Sequence, residues 1–369
     1  MNMKKFLVLA LLVIALPAQA ALIDLTLPGD SVQGFNADGF GAHWPSGESP
    51  PKAIDDSAGT KYLNFGTTGG GGGSGTGGPT GLVVHPRAGL GVVTGMSFTT
   101  ANDNPPRDPL DYVLEGSADG GASWSPIASG LTGLPTARFA TTTVSFPNAA
   151  VYGAYRLAFP TLRDPGSANS MQVAEIELLI DDASLLADVT QPLDPVVGFN
   201  ADGPGADWPE GEEPLKAIDD DPLTKYLNFG TTGSGGGSGT GGPTGLVVSP
   251  ALGQVLVSGL GVRSGNDSPP RDPAIVELLG SNDGVSFDLI ERLAVPTFPD
   301  RRFLLNFAFE NTTPYFHYRV SIPEVANPGS ANSMQLSEVQ LYGRVAPEPA
   351  TLGLLGLGAL ALARRRRGR

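Results

Sequence analysis

The chain has 369 residues, 40% of them hydrophobic, with 51 glycines, 33 prolines and no cysteine. That apolar fraction is too high for a disordered chain, and the lack of cysteine excludes disulfide staples, thiolate metal sites and a Cys nucleophile. The net charge is −14, but without Lys4, Lys5, Glu348 and the five tail arginines 16 basic and 36 acidic residues remain, about −20, which argues against any nucleic-acid partner.

The chain opens with MNMKKFLVLALLVIALPAQA: two lysines, an apolar run from Phe6 to Leu16, and the small-residue stretch Ala18–Ala20. This is the pattern of a secretory signal peptide over 1–20, with Ala21 beginning the mature chain; the apolar run is too short for a membrane anchor.

The body of the chain is written twice. GFNADG begins at Gly34 and at Gly198, KAIDD at Lys52 and Lys216, and NDNPPRDP at Asn102 returns as NDSPPRDP at Asn266, each pair 164 residues apart. A glycine-rich run recurs at the same internal place, within 61–84 and 225–248. A linker would fall between the copies, so each run is a loop inside a domain, placed either for close backbone approach to a partner or as a mobile flap. Short β-rich, alternating segments such as YRLAF and MQVAEIELLI, with turn chemistry between them, predict an all-β fold: two tandem β-sandwiches of the jelly-roll kind at 21–181 and 196–344. The similarity lapses over 182–195, the expected connector.

The motif KAIDDSAGTKYLNF, its partner KAIDDDPLTKYLNF, and a last strand bearing Glu175 or Glu338 carry a resemblance. They are similar to the discoidin-like, coagulation-factor type C modules of the galactose-binding superfamily, across most of the mature chain. That resemblance implies a structural calcium, with Asp55, Thr60 and Glu175 as ligands in the first copy and Asp219, Thr224 and Glu338 in the second. Backbone carbonyls such as those of Lys52 and Lys216 would complete a shell of six to eight hard oxygens. The alternative is that the aspartates only form turns. Two positions depart from the family: its glycine is Asp56 and Asp220 here, and its tryptophan is Tyr62 and Tyr226. Asp221 stands opposite Ser57, so the second site is expected to hold one more carboxylate and to bind calcium more tightly.

For a ligand face, Trp44 and Trp208 occupy equivalent positions, either as exposed platforms for a sugar ring or as core. Asn102, Asp103 and Arg107, with their partners Asn266, Asp267 and Arg271, sit in Pro-rich turns that either hydrogen-bond a glycan or form a local Arg–Asp and Asx-turn network. No histidine is duplicated, and no catalytic motif stands out, so a non-catalytic protein is expected. The expected role is to bind extracellular polysaccharide or a surface glycan; the rival is a structural matrix component with no glycan site.

The tail reads Pro347-Glu348-Pro349, an uncharged stretch to Ala363, then Arg364, Arg365, Arg366 and Arg367. Fourteen helical residues span about 21 Å, short of a bilayer core of about 30 Å without snorkelling arginines. The order resembles the PEP-CTERM sorting signal, over about the last two dozen residues. It implies a short transmembrane helix over part of 345–369, transient inner-membrane anchoring, processing by an exosortase, and delivery to the surface or matrix of a Gram-negative bacterium. The other reading is a plain tail anchor.

Overall fold

The computed structural model describes residues 22–346, except 37–38, 41–43, 67–78, 201–202, 205–207 and 231–242. The signal peptide, both glycine runs and the Pro-Glu-Pro tail therefore lie outside the described residues. Among those described, no helix is long and apolar enough to cross a membrane.

The described chain is β throughout, with only short 3-10 turns, and it forms two sandwiches of one topology. In the first, a four-stranded sheet runs in the order Leu22–Asp24, Glu175–Asp181, Val93–Thr99, Thr141–Ser145. It faces a six-stranded sheet whose central members are Thr80–His85, Ala154–Phe159 and Asp111–Ser117, and every pairing is antiparallel. A two-residue period puts Met96, Phe98, Ile176, Leu178 and Ile180 of one sheet against Leu82, Val84, Leu114, Tyr155 and Leu157 of the other. Burying each such side chain contributes about 1.5–3 kcal/mol. The second copy repeats this over Ala187–Val345.

The glycine runs join Tyr62–Asn64 to Thr80–His85 and Tyr226–Asn228 to Thr244–Val248. Tyr62–Asn64 pairs with Met171–Val173, and Tyr226–Asn228 with Met334–Leu336, in small sheets of their own domains, so each run is an intradomain connection, as its duplication predicts.

The connector is shorter than the sequence predicts. Ala187–Asp188 already pairs with Gly343 and Tyr342 in the second domain's sheet, and Leu186 bridges Leu90 of the first. Only 182–186 separate the two sandwiches.

The domains also touch extensively. The second domain's edge strand Leu304–Ala308 leans on the first domain. The Leu304 amide donates to Ser31 Oγ at 2.8 Å, Asn306 Nδ2 donates to the Pro86 carbonyl at 2.7 Å, and the Ala308 amide donates to the Ala118 carbonyl at 2.9 Å. His85 is buried there, its ring 5.4 Å from that of Phe303, and burial pulls its pKa down to about 3, so it stays neutral. Phe307 fills space over Gly120, where an added Cβ would lie 2.8 Å from the ring. The contact is head-to-tail: the equivalent strand of the first domain, Thr141–Ser145, faces solvent on alternate residues.

Candidate functional site

Each sandwich carries an oxygen-rich cluster at one end of the four-stranded sheet. In the first copy the chain turns through Pro50–Ala53 and a tight loop to reach Tyr62. Asp55 Oδ1 accepts from Thr60 Oγ1 at 2.6 Å, and Thr60 Oγ1 lies 3.0 Å from the Ser57 carbonyl. From the far end of the chain, Glu175 Oε1 accepts from the Ser57 amide at 2.8 Å. The Asp55 and Glu175 carboxyls lie close enough for each to shift the other's proton affinity. Burial pushes Glu175 up to about 8, and the neighbouring Asp55 and Asp56 charges add to the rise. Burial also pushes Asp55 up, but donors from Thr60 and Lys52 outweigh it and hold the carboxyl below its ordinary value.

The second copy repeats the arrangement. Thr224 Oγ1 lies 2.9 Å from Asp219 Oδ1, 3.3 Å from the Lys216 carbonyl and 3.2 Å from the Asp221 carbonyl. Burial raises Glu338 to about 9, with Asp219 and Asp220 adding to the effect, and its Oε1 is buried with no hydrogen-bond partner.

The residues named for calcium thus converge: Asp55, Thr60 and Glu175 in one copy, Asp219, Thr224 and Glu338 in the other. Two carboxylates, a hydroxyl and one or two carbonyls are the hard donors calcium takes, leaving positions for water. Each first aspartate also meets an ammonium, Lys52 at 2.9 Å and Lys216 at 3.1 Å, which an incoming cation would compete with. Among the described residues no group of three or more His, Cys, Asp or Glu that could hold a metal ion occurs.

Asp221 sits in a turn. Its Oδ1 accepts from the Leu223 amide at 2.9 Å, an Asx-turn, and its carbonyl rather than its carboxylate faces Thr224. The charge that does distinguish the copies lies across the sheet. Glu175 pairs in register with Thr99, whereas Glu338 pairs with Arg263, a buried guanidinium. The family-glycine positions are explained too. Asp56 and Asp220 both have φ of 57°, the left-handed region that glycine enters freely and Asp tolerates at a cost of about 1–2 kcal/mol. Tyr62 and Tyr226 are fully buried, each hydroxyl donating to a carbonyl, of Gly81 and Gly245.

Trp44 and Trp208 are half-buried and packed on the cores, each edge-on to a buried tyrosine at 6.1 Å. Gly34 makes room for the first; a Cβ there would lie 2.2 Å from the indole. Both rings are thus partly packed and partly exposed. The Pro-rich turns hold a local network. Lys61 Nζ holds Asp103 at 2.9 Å, Lys225 holds Asp267 at 3.0 Å, and Arg107 donates to Asn169 at 2.9 Å. Gln172 and Gln335 clamp the carbonyls of Asp103 and Asp267. Asn102 and Asn266 are exposed, and Arg271 faces Asp267 electrostatically.

Sequence reasoning missed what organises these turns. Lys61 is buried yet ties Glu48 and Asp103 to one point, as Lys225 does for Glu212 and Asp267. Asp108 and Asp272 are buried and pair bidentately with Arg138 and Arg301. The signal was present, because both the TKYLNF lysine and the RDP aspartate recur in each copy. Also missed was a stack on the outer sheet face: Arg156 over Phe35 and Trp124, and Arg319 over Phe199 and Phe287.

These features define a tandem β-sandwich protein with one oxygen cluster per domain. Residues 345–367 match the PEP-CTERM protein-sorting motif, so the tail carries that signal. A stretch of 80 residues is 32% identical to a peptide-N(4)-(N-acetyl-beta-glucosaminyl)asparagine amidase of Arabidopsis thaliana, covering 21% of this chain and only 11% of that protein. Among solved structures, the chain is similar to the CBM32-1 and CBM32-2 domains of Clostridium perfringens ZmpB in complex with GalNAc, at 12% identity over 85% of this chain and 89% of that one, with a TM-score of 0.32. It is also similar to a fucolectin from striped bass serum (Morone saxatilis), at 11% identity over 86% and 97%, with a TM-score of 0.31.

Proposed function

We propose that this is an exported, exosortase-sorted surface protein, without catalytic activity, whose β-sandwich modules bind extracellular carbohydrate and each hold a structural calcium. The observation that carries the reading is the convergence of Asp55, Thr60 and Glu175, and of Asp219, Thr224 and Glu338. Glu175 lies 115 residues beyond Thr60 in sequence, and the discoidin-type resemblance names that same trio. Calcium would bridge the two carboxylates, tying the last strand to the loop that precedes Tyr62. That is a structural duty: it fixes the end of the sandwich from which the Pro-rich turns project.

The sorting motif supports release outside the cell, with the inner membrane as a transient stop. The strongly acidic body disfavours anionic polymers and favours neutral glycans. The first copy is the tighter calcium site in this reading, because Arg263 opposes a cation only in the second.

The test is binding of the mature body, residues 21–346, to an array of neutral and acidic glycans, with calcium and with chelator. Retention on neutral glycans, weakened by chelator, is the expected result. No binding to any glycan under either condition would leave the matrix-component reading in its place.

A further inference from the structure

The repeats differ at one pocket. The second domain holds a cavity of about 600 Å³ on the flank of its Pro-rich turn, walled by Pro269, Pro270, Phe298 and Ala274, with Asp300 and Asn327 at its rim. At the corresponding place in the first domain stands an arginine. Arg163 Nη2 donates to the Leu134 carbonyl at 2.6 Å and to that of Pro135 at 3.1 Å. Its counterpart is Ala326, as the backbone shows: the Arg163 amide donates to the Asp108 carbonyl at 2.9 Å, and the Ala326 amide donates to that of Asp272 at 2.8 Å. Leu110 in the first copy is likewise Ala274 in the second, 164 residues on.

We infer that this pocket in the second domain is a glycan subsite that takes one neutral pyranose residue of a polysaccharide, and that Arg163 closes the equivalent place in the first. The inference deepens the carbohydrate-binding reading and rests on it. Proline and phenylalanine offer an apolar floor for the C–H face of a sugar, and a cavity of this size with a few convergent polar groups is the usual form of a small-ligand site. The charges select against acidic sugars. Arg301 is held bidentately by Asp272, and Asp300 accepts from the Arg301 amide at 2.7 Å, so the lining carries one net negative charge. A uronate would meet the Asp300 carboxylate, and the lining arginine is already committed to Asp272. Hydroxyl groups, by contrast, find acceptors and donors in Asp300 and Asn327.

The experiment is affinity electrophoresis of the mature protein through gels containing a neutral galactan, a neutral glucan or polygalacturonate. The wild type should be retarded by a neutral gel and not by polygalacturonate. Ala326→Arg, which copies the first domain's plug onto an exposed position, should weaken retardation by about tenfold or more, the scale of an occluded pocket. Arg163→Ala should open a second subsite and strengthen retardation through avidity. If the wild type is retarded by a neutral gel but Ala326→Arg matches it, with unchanged thermal unfolding, the pocket assignment falls while glycan binding stands. If no gel retards the wild type, both fall.

Discussion

The second domain's edge strand Leu304–Ala308 and the first domain's Thr141–Ser145 occupy the same rung of the same fold, yet one is buried and the other wet. Phe307 pairs with Leu260, and Val144 pairs with Met96, at matching places in the two ladders. The first strand reads TTTVS and the second LLNFA. An exposed edge invites further pairing, and a polar, alternating one resists it. The apolar edge is therefore covered by the neighbouring domain, while the edge left to solvent is threonine-rich. Duplication gives equal folds, but the head-to-tail contact makes the two surfaces unequal.

The largest effect expected from this inequality belongs to the edge itself. Phe307→Ala should cost about 3–5 kcal/mol, as for a large side chain removed from a core, whereas Val144→Ala should cost about 1 kcal/mol or less. Chemical denaturation of the mature body measures both. Equal costs would show that the interface adds nothing to the second domain.

Next comes calcium. Glu175 and Glu338, ordinarily near 4.5, are raised to about 8 and about 9. Over that window the unfolded chain has released protons that the folded chain retains, so without a cation stability falls as pH rises. Calcium needs both carboxylates ionised, so its stabilisation should grow from pH 5 to pH 8. Thermal unfolding in chelator and in calcium, at both values, reads this directly. A calcium effect that shrinks with pH would remove these glutamates from the site.

The copies should then separate. Arg263→Thr, which gives the second domain the first domain's partner residue, should tighten its calcium binding by about tenfold, the scale of removing one adjacent like charge. Smallest of all, Asp221→Ser should change calcium affinity by less than about threefold, because an exposed carboxylate committed to a turn contributes little. Titration calorimetry on the mature body distinguishes the two variants. A large loss at Asp221→Ser would restore that carboxylate to the site.

Much of this molecule is legible in its amino-acid order. The exact spacing of GFNADG, KAIDD and PPRDP shows the duplication, and the glycine runs are placed inside the domains by that repeat alone. The trio at the oxygen cluster is legible through its resemblance, and the turn-forming Asp and Pro positions behave as local chemistry requires. Trp44 and Trp208 remain an open choice at that level. Whether a ring faces solvent depends on Gly34 and Tyr62, which share its surface only after folding. Asp221 has a local partner, the Leu223 amide, that residue counting does not weigh.

The two-residue alternation that makes sheets, the turns, the copied unit and the sorting tail all depend on neighbours along the chain, so residue order is enough to reveal them. Folding was needed to bring Glu175 to Asp55, to set Arg263 opposite Glu338, to leave a cavity at Ala326 where the first domain has Arg163, and to cover one edge strand. Local conformational preference acts within a few residues, whereas burial and charge pairing join groups more than a hundred residues apart. A single substitution between related repeats therefore says little until the groups around it are known.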